Sequence, residues 1–115
     1  REEPRPSKFQ GDVSAMLEQD LGWKHIFEYR TAEGISLDLA EPESKRAIEV
    51  DGPAHYLKDV PSGDYAVDGP TRFKGRLLRR LGWTVAHVAF FEWDGKSASE
   101  RRELLKAKLA EIGVE

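Results

Sequence analysis

At 115 residues and 13.0 kDa, with 39% hydrophobic and 34% charged residues, the chain has room for one ordinary core and is too apolar to read as disordered. The absence of cysteine excludes a disulfide framework and thiolate metal sites, leaving carboxylates and three histidines as possible ligands. A formal charge of -3 argues against a uniformly basic nucleic-acid-binding surface, and no apolar run approaches the roughly 20 residues that span a bilayer, so no membrane association is expected.

Arg1 to Pro6 reads as a linker and residues 7–115 as a single domain; the charged, proline-containing start without methionine suggests a piece of something longer. Ser7, with Gln10 three residues on, has the pattern of a capping box, and Phe9, Val13, Met16 and Leu17 recur at helical spacing up to Gly22. The helix starts at Ser7 or, because Gly11 costs about 1 kcal/mol relative to alanine, at Asp12. His25 to Thr31 reads as a first strand. Ile35, Leu37 and Leu39 alternate with Ser36, Asp38 and Ala40 in a second, and Glu41-Pro42-Glu43-Ser44 turns the chain into a third.

The third strand and the turn after it, Ala47 to Tyr56, organise the rest. Ile48 and Val50 share one face, and Ala47, Glu49 and Asp51 share the other. Gly52 and Pro53 end the strand, and His55 lies just past the turn. With Leu37 and Leu39 opposite Val50 and Ile48, Asp38 falls opposite Glu49 on the polar face. Like charges so placed destabilise a sheet unless a cation bridges them, so Asp38, Glu49 and Asp51 are candidate ligands of a hard divalent ion. His55 is either the adjoining general base or a residue that packs the turn.

Leu57 to Pro70, rich in Gly, Pro and Asp, is expected to be a long irregular loop. Thr71 to Leu81 reads as a helix ending at Gly82. Steps of about 100° put Phe73, Leu77, Leu78 and Leu81 on one arc, with Arg72, Arg76, Arg79 and Arg80 opposite. Those arginines, with no acid among them, suit phosphate oxygens. Lys74 falls inside the apolar arc, where it either snorkels or reaches the carboxylates. Trp83 to Phe91 is nearly continuous apolar sequence, the pattern of a buried strand parallel to the third. Ser97 and Glu100 form a second capping box before Leu104, Leu105, Leu109 and Ile112. His25, His87 and Trp83 are expected to be structural, and Trp93 to be core or a base-stacking surface. The order α-β-β-β-α-β-α implies an α/β fold with a mixed four-stranded sheet, three strands antiparallel and one parallel, flanked by helices.

Ile48-Glu49-Val50-Asp51-Gly52-Pro53-Ala54-His55-Tyr56, then Thr71, Lys74 and Arg76, then Leu81-Gly82-Trp83-Thr84-Val85 and Phe91-Glu92-Trp93, together resemble the RAP domain of organellar RNA-metabolism proteins, over roughly Arg46 to Lys106. That family is similar to the restriction-endonuclease-like PD-(D/E)XK fold, including very-short-patch-repair nucleases. Carried over, Asp38 and Glu49 match the two acids of the nuclease motif. Its lysine, two residues after Glu49, is replaced by Asp51, and Lys74 would supply the charge from the next helix.

The resemblance implies an RNA-binding, RNA-processing module in a mitochondrion or chloroplast, C-terminal to helical repeats, acting on single-stranded RNA without a small-molecule cofactor. One form of it is an endoribonuclease in which Asp38, Glu49 and Asp51 hold Mg2+ or Mn2+, His55 or Lys74 handles protons or charge, and Arg72, Lys74, Arg76, Arg79, Arg80 and Trp93 contact RNA. The alternatives are an inactive nuclease-like fold that binds RNA or RNA 5' ends, and a protein-interaction platform in an organellar RNA complex.

Overall fold

A computed structural model describes residues 8–58 and 65–115, the side chains of 55–58, 65 and 66 excepted. Helix α1 (Lys8–Gln19) leads into strands β1 (Ile26–Arg30), β2 (Ser36–Glu41) and β3 (Arg46–Asp51). Short strands β4 (Tyr56–Lys58) and β5 (Tyr65–Val67) precede α2 (Gly69–Arg80), β6 (Thr84–Ala89), a one-turn helix α3 (Phe90–Trp93) and α4 (Ala98–Glu111). The main sheet has the order β1-β2-β3-β6, antiparallel except for the parallel pair β3 and β6, the mixed four-stranded arrangement expected from the sequence.

The sheet separates two packing layers. Leu39, Ile48, Val50, Ala86 and Val88 meet Val13 and Leu17 of α1 and Leu105 and Leu109 of α4 on one side. Ala40, Ala47, Leu78 of α2 and Trp83 pack on the other. Helix α4 begins with the reciprocal cap expected from its sequence: Glu100 N donates to Ser97 Oγ at 3.1 Å and Ser97 N to Glu100 Oε1 at 2.9 Å. The proposed cap of α1 at Ser7 and the linker lie outside the described residues.

Several expectations are corrected. Leu37 does not share the side of Leu39, but packs with Ala40, Ala47, Leu78 and Trp83. The cause is a local twist: pairing runs from Phe27↔Leu39 to Tyr29↔Leu37, Glu28 between them takes φ 62°, and the β2–β3 ladder ends at Leu39↔Ile48. The segment read as an irregular loop contains a two-stranded ribbon, Tyr56↔Val67 to Lys58↔Tyr65; residues 59–64 lie outside the described residues. Helix α2 starts earlier than Thr71 because Asp68 caps it, accepting from Thr71 N at 2.8 Å, while Pro70 occupies the first turn, where a missing N–H costs nothing. Phe73 is 61% exposed, so α2 rests on the sheet mainly through Leu78. Strand β6 stops at Ala89, where Glu92 Oε1 accepts the Ala89 amide at 3.0 Å and turns Phe90 to Trp93 into α3.

Candidate functional site

Strand β3 is buried on both faces, so Glu49 and Asp51 are 4% and 5% exposed. Acids at such positions are tolerated only with partners. The face that carries them lies under α2, where Asp38, Glu49, Asp51, Thr71, Lys74, Gly75, Leu78 and His87 enclose a cavity of about 90 Å³. The structure thus brings Asp38, Glu49, Asp51 and Lys74 together.

Each acid is engaged. Beyond Leu39↔Ile48 the carboxylates replace the backbone ladder: Asp38 N donates to Glu49 Oε2 at 3.1 Å, and Val50 N donates to Asp38 Oδ2 at 2.8 Å. Lys74 Nζ stands 2.6 Å from Glu49 Oε1 as an ion pair, and that enclosed oxygen receives no aligned hydrogen bond among the described residues. Asp51 Oδ2 faces His87 Nδ1 at 2.7 Å. Burial, then the hydrogen bond and the charge shared with Glu49, push the Asp38 carboxyl up to about 8. The hydrogen bond to Asp51 raises His87 above its ordinary value of 6.5, against the opposing effect of burial.

Oxygen donors of this kind suit Mg2+ or Mn2+ in chemistry. In placement they do not yet converge: among the described residues no three Asp, Glu or His side chains are set to hold one ion. Two of the three acids each spend an oxygen on a backbone amide, Asp51 turns to the imidazole, and an ammonium sits against Glu49. The His55 side chain lies outside the described residues.

His87 is the participant that sequence reasoning passed over as structural. The signal was present, since the parallel crossover puts His87 beside Glu49 in the register, on the face that carries the acids. The arginines occupy the adjoining surface. Arg72, Arg76 and Arg79 line a groove of about 570 Å³ with Asp51, Val67, Thr71, Gly75 and His87, so groove and cavity share four residues. Arg80 is exposed but does not line that groove; with Arg79 it stands in the last turn, where a cation complements the helix dipole. None of the four has an ion-pair partner among the described residues.

Trp93 is removed from the nucleic-acid-contacting set. It is 3% exposed, with Phe9 packed at 5.9 Å and the Arg101 guanidinium 4.5 Å over its ring, so no base can stack there. His25 is structural, stacked on Trp23 at 4.8 Å and within 2.7 Å of Ser14 Oγ.

Comparison with known proteins gives the family. A family model described as the RAP domain matches residues 48–108, which include Glu49, Asp51, Lys74, the arginines and His87 but not Asp38. The RAP domain-containing protein, chloroplastic, of Oryza sativa subsp. japonica is 31% identical over 88 residues, covering 76% of this chain and 13% of its own length. That relative is chloroplastic, in agreement with the organellar setting that the resemblance implies. With the family model covering more than half of its residues, including most of the cavity and the arginine groove, the chain belongs to the RAP domain family.

Proposed function

We propose that this domain binds RNA in an organellar RNA-metabolism protein, laying the phosphodiester backbone along the groove of Arg72, Arg76 and Arg79. One observation carries the reading: three guanidinium groups without ion-pair partners among the described residues line a single groove, in a chain whose overall charge is -3. Arginines with no ion-pair partner among the described residues, on a chain of net negative charge, concentrate positive potential where solubility does not require it. Arginine–phosphate contacts position a strand without reading its sequence, so the choice of transcript falls to other segments of a longer parent protein, such as helical repeats.

Fluorescence anisotropy with a single-stranded RNA across a salt series tests this. Affinity is expected to fall with salt, and Arg76→Ala and Arg79→Ala each to reduce the log–log slope by roughly 0.7. Salt-insensitive or absent binding at low ionic strength removes the proposal.

A second reading, metal-dependent endoribonuclease, is favoured by the placing of Asp38 beside Glu49 with Lys74 on Glu49, the charge that the altered motif lacks at Asp51. Asp38, Glu49 and Asp51 would have to turn from their present amide and imidazole partners to hold Mg2+ or Mn2+, which when bound supplies an activated water and a polarised phosphate. Lys74 would then offset negative charge beside Glu49, and the arginines would hold the strand in place. RNA cleavage with Mn2+ that is abolished by EDTA, and by Asp38→Asn and Glu49→Gln, which keep acceptors for the Val50 and Asp38 amides, supports it. Binding without cleavage under the same conditions leaves the first reading alone.

A further inference from the structure

The cavity and the arginine groove meet, yet they offer opposite chemistry. In the groove, guanidinium donors stand without ion-pair partners among the described residues. In the cavity both cationic groups are already matched, Lys74 by Glu49 at 2.6 Å and His87 by Asp51 at 2.7 Å. What the two pairs leave over includes carboxylate acceptors, beside the remaining N–H groups of Lys74. Glu49 Oε1, on a side chain 5% exposed, receives no aligned hydrogen bond, and Asp51 uses only Oδ2 among the described residues. A phosphate entering this space would meet carboxylates with their cations taken, a like-charge juxtaposition that disfavours it. A hydroxyl, donor and acceptor at once, would instead suit carboxylate oxygens that stand beside an ammonium.

A strand held by its phosphates in the groove reaches the cavity through Asp51, Thr71, Gly75 and His87, which line both. An internal nucleotide would carry its 3' phosphate into the cavity with it. Only the last nucleotide of an RNA brings two free vicinal hydroxyls and no further phosphate. The volume, about 90 Å³, suits the edge of a sugar rather than a whole nucleotide.

We infer that the acid cavity seats the 3'-terminal ribose of a bound RNA through its 2'- and 3'-hydroxyls, making the domain a reader of RNA 3' ends. The inference rests on the RNA-binding reading and adds a polarity to it: phosphates toward Arg72, Arg76 and Arg79, terminal diol toward Glu49 and Asp51.

The test compares one short single-stranded RNA sequence with a 3'-hydroxyl, a 3'-phosphate or a 2',3'-dideoxy end, each with and without a 5'-phosphate, by competition anisotropy with the full chain. The 3'-phosphate and the dideoxy end are expected to weaken binding at least about tenfold, and the 5' end to matter less than about twofold. Asp51→Asn is expected to narrow the gap between 3'-hydroxyl and 3'-phosphate RNAs, while Arg76→Ala weakens all of them alike and keeps their ratio. Equal affinity for the three 3' ends, with salt-sensitive binding intact, overturns this inference alone. Absence of binding by every RNA overturns it together with the RNA-binding reading.

Discussion

The two sides of the β3 strand differ by a shift of one residue and behave as different materials. Ile48 and Val50 face α1 and α4 across an apolar layer that includes Leu39, Leu17 and Leu105, all 0% exposed but for Val50 at 7%. Glu49 and Asp51, equally enclosed, face α2 across a cavity in which every acid has a charged or amide partner. Apolar contact holds the first side together, without direction. The second is held by specific pairs, each of which loses its worth if one member is removed. The α2 side also carries a smaller apolar layer around Leu78 and Trp83, so the acids sit beside packing rather than in place of it.

Breaking the apolar side should have the largest effect. Leu39→Ala, opposite Ile48 in the register, is expected to cost about 2 to 5 kcal/mol in chemical denaturation while leaving the arginine groove intact. On the polar side, Lys74→Met strands the Glu49 carboxylate and is expected to cost about 1 to 3 kcal/mol, less than for a fully buried pair because Lys74 is 37% exposed. Adding Glu49→Gln, which keeps an acceptor for the Asp38 amide, should recover part of that loss in a double-mutant cycle. No recovery would mean that the pair is not coupled. Ser97→Ala, at the cap of α4 and far from both materials, is expected to cost about 1 kcal/mol.

The smallest changes sharpen the contrast. Because Asp51 raises His87, protonated His87 favours the folded chain. Its contribution is full below the ordinary value of 6.5 and is lost as pH rises through the higher folded value. NMR titration should show that folded value above 6.5, and Asp51→Asn should return it toward 6.5. Arg76→Ala is expected to change stability by less than about 0.5 kcal/mol, since its guanidinium has no ion-pair partner among the described residues, yet to reduce RNA affinity.

The strict alternation of Ala47 to Asp51 made the two faces legible from sequence alone, and with them the pairing of Leu39 with Ile48 and the meeting of Asp38 with Glu49. Ser97 and Glu100 were equally readable, because a capping box is a local interaction with a fixed spacing. What escaped depends on non-local geometry. The move of Leu37 to the α2 side follows from a backbone twist at Glu28, a residue whose type does not announce φ 62°. Phe73 has helical spacing suited to burial, yet it stays exposed. His87 looked like an interruption in an apolar strand until the parallel register placed it beside Glu49.

Where β2 and β3 part company, two main-chain N–H groups, those of Asp38 and Val50, depend on carboxylates from the opposite strand. Any occupant that drew those side chains toward itself would leave the amides bare in a closed space. Occupancy of the pocket and the zippering of the strands are thereby mechanically linked, and a guest is admitted only if it repays what the hairpin surrenders. Truncating either acid to alanine would open the same seam with nothing inside it, so loss of the pocket and loosening of the hairpin should arrive together.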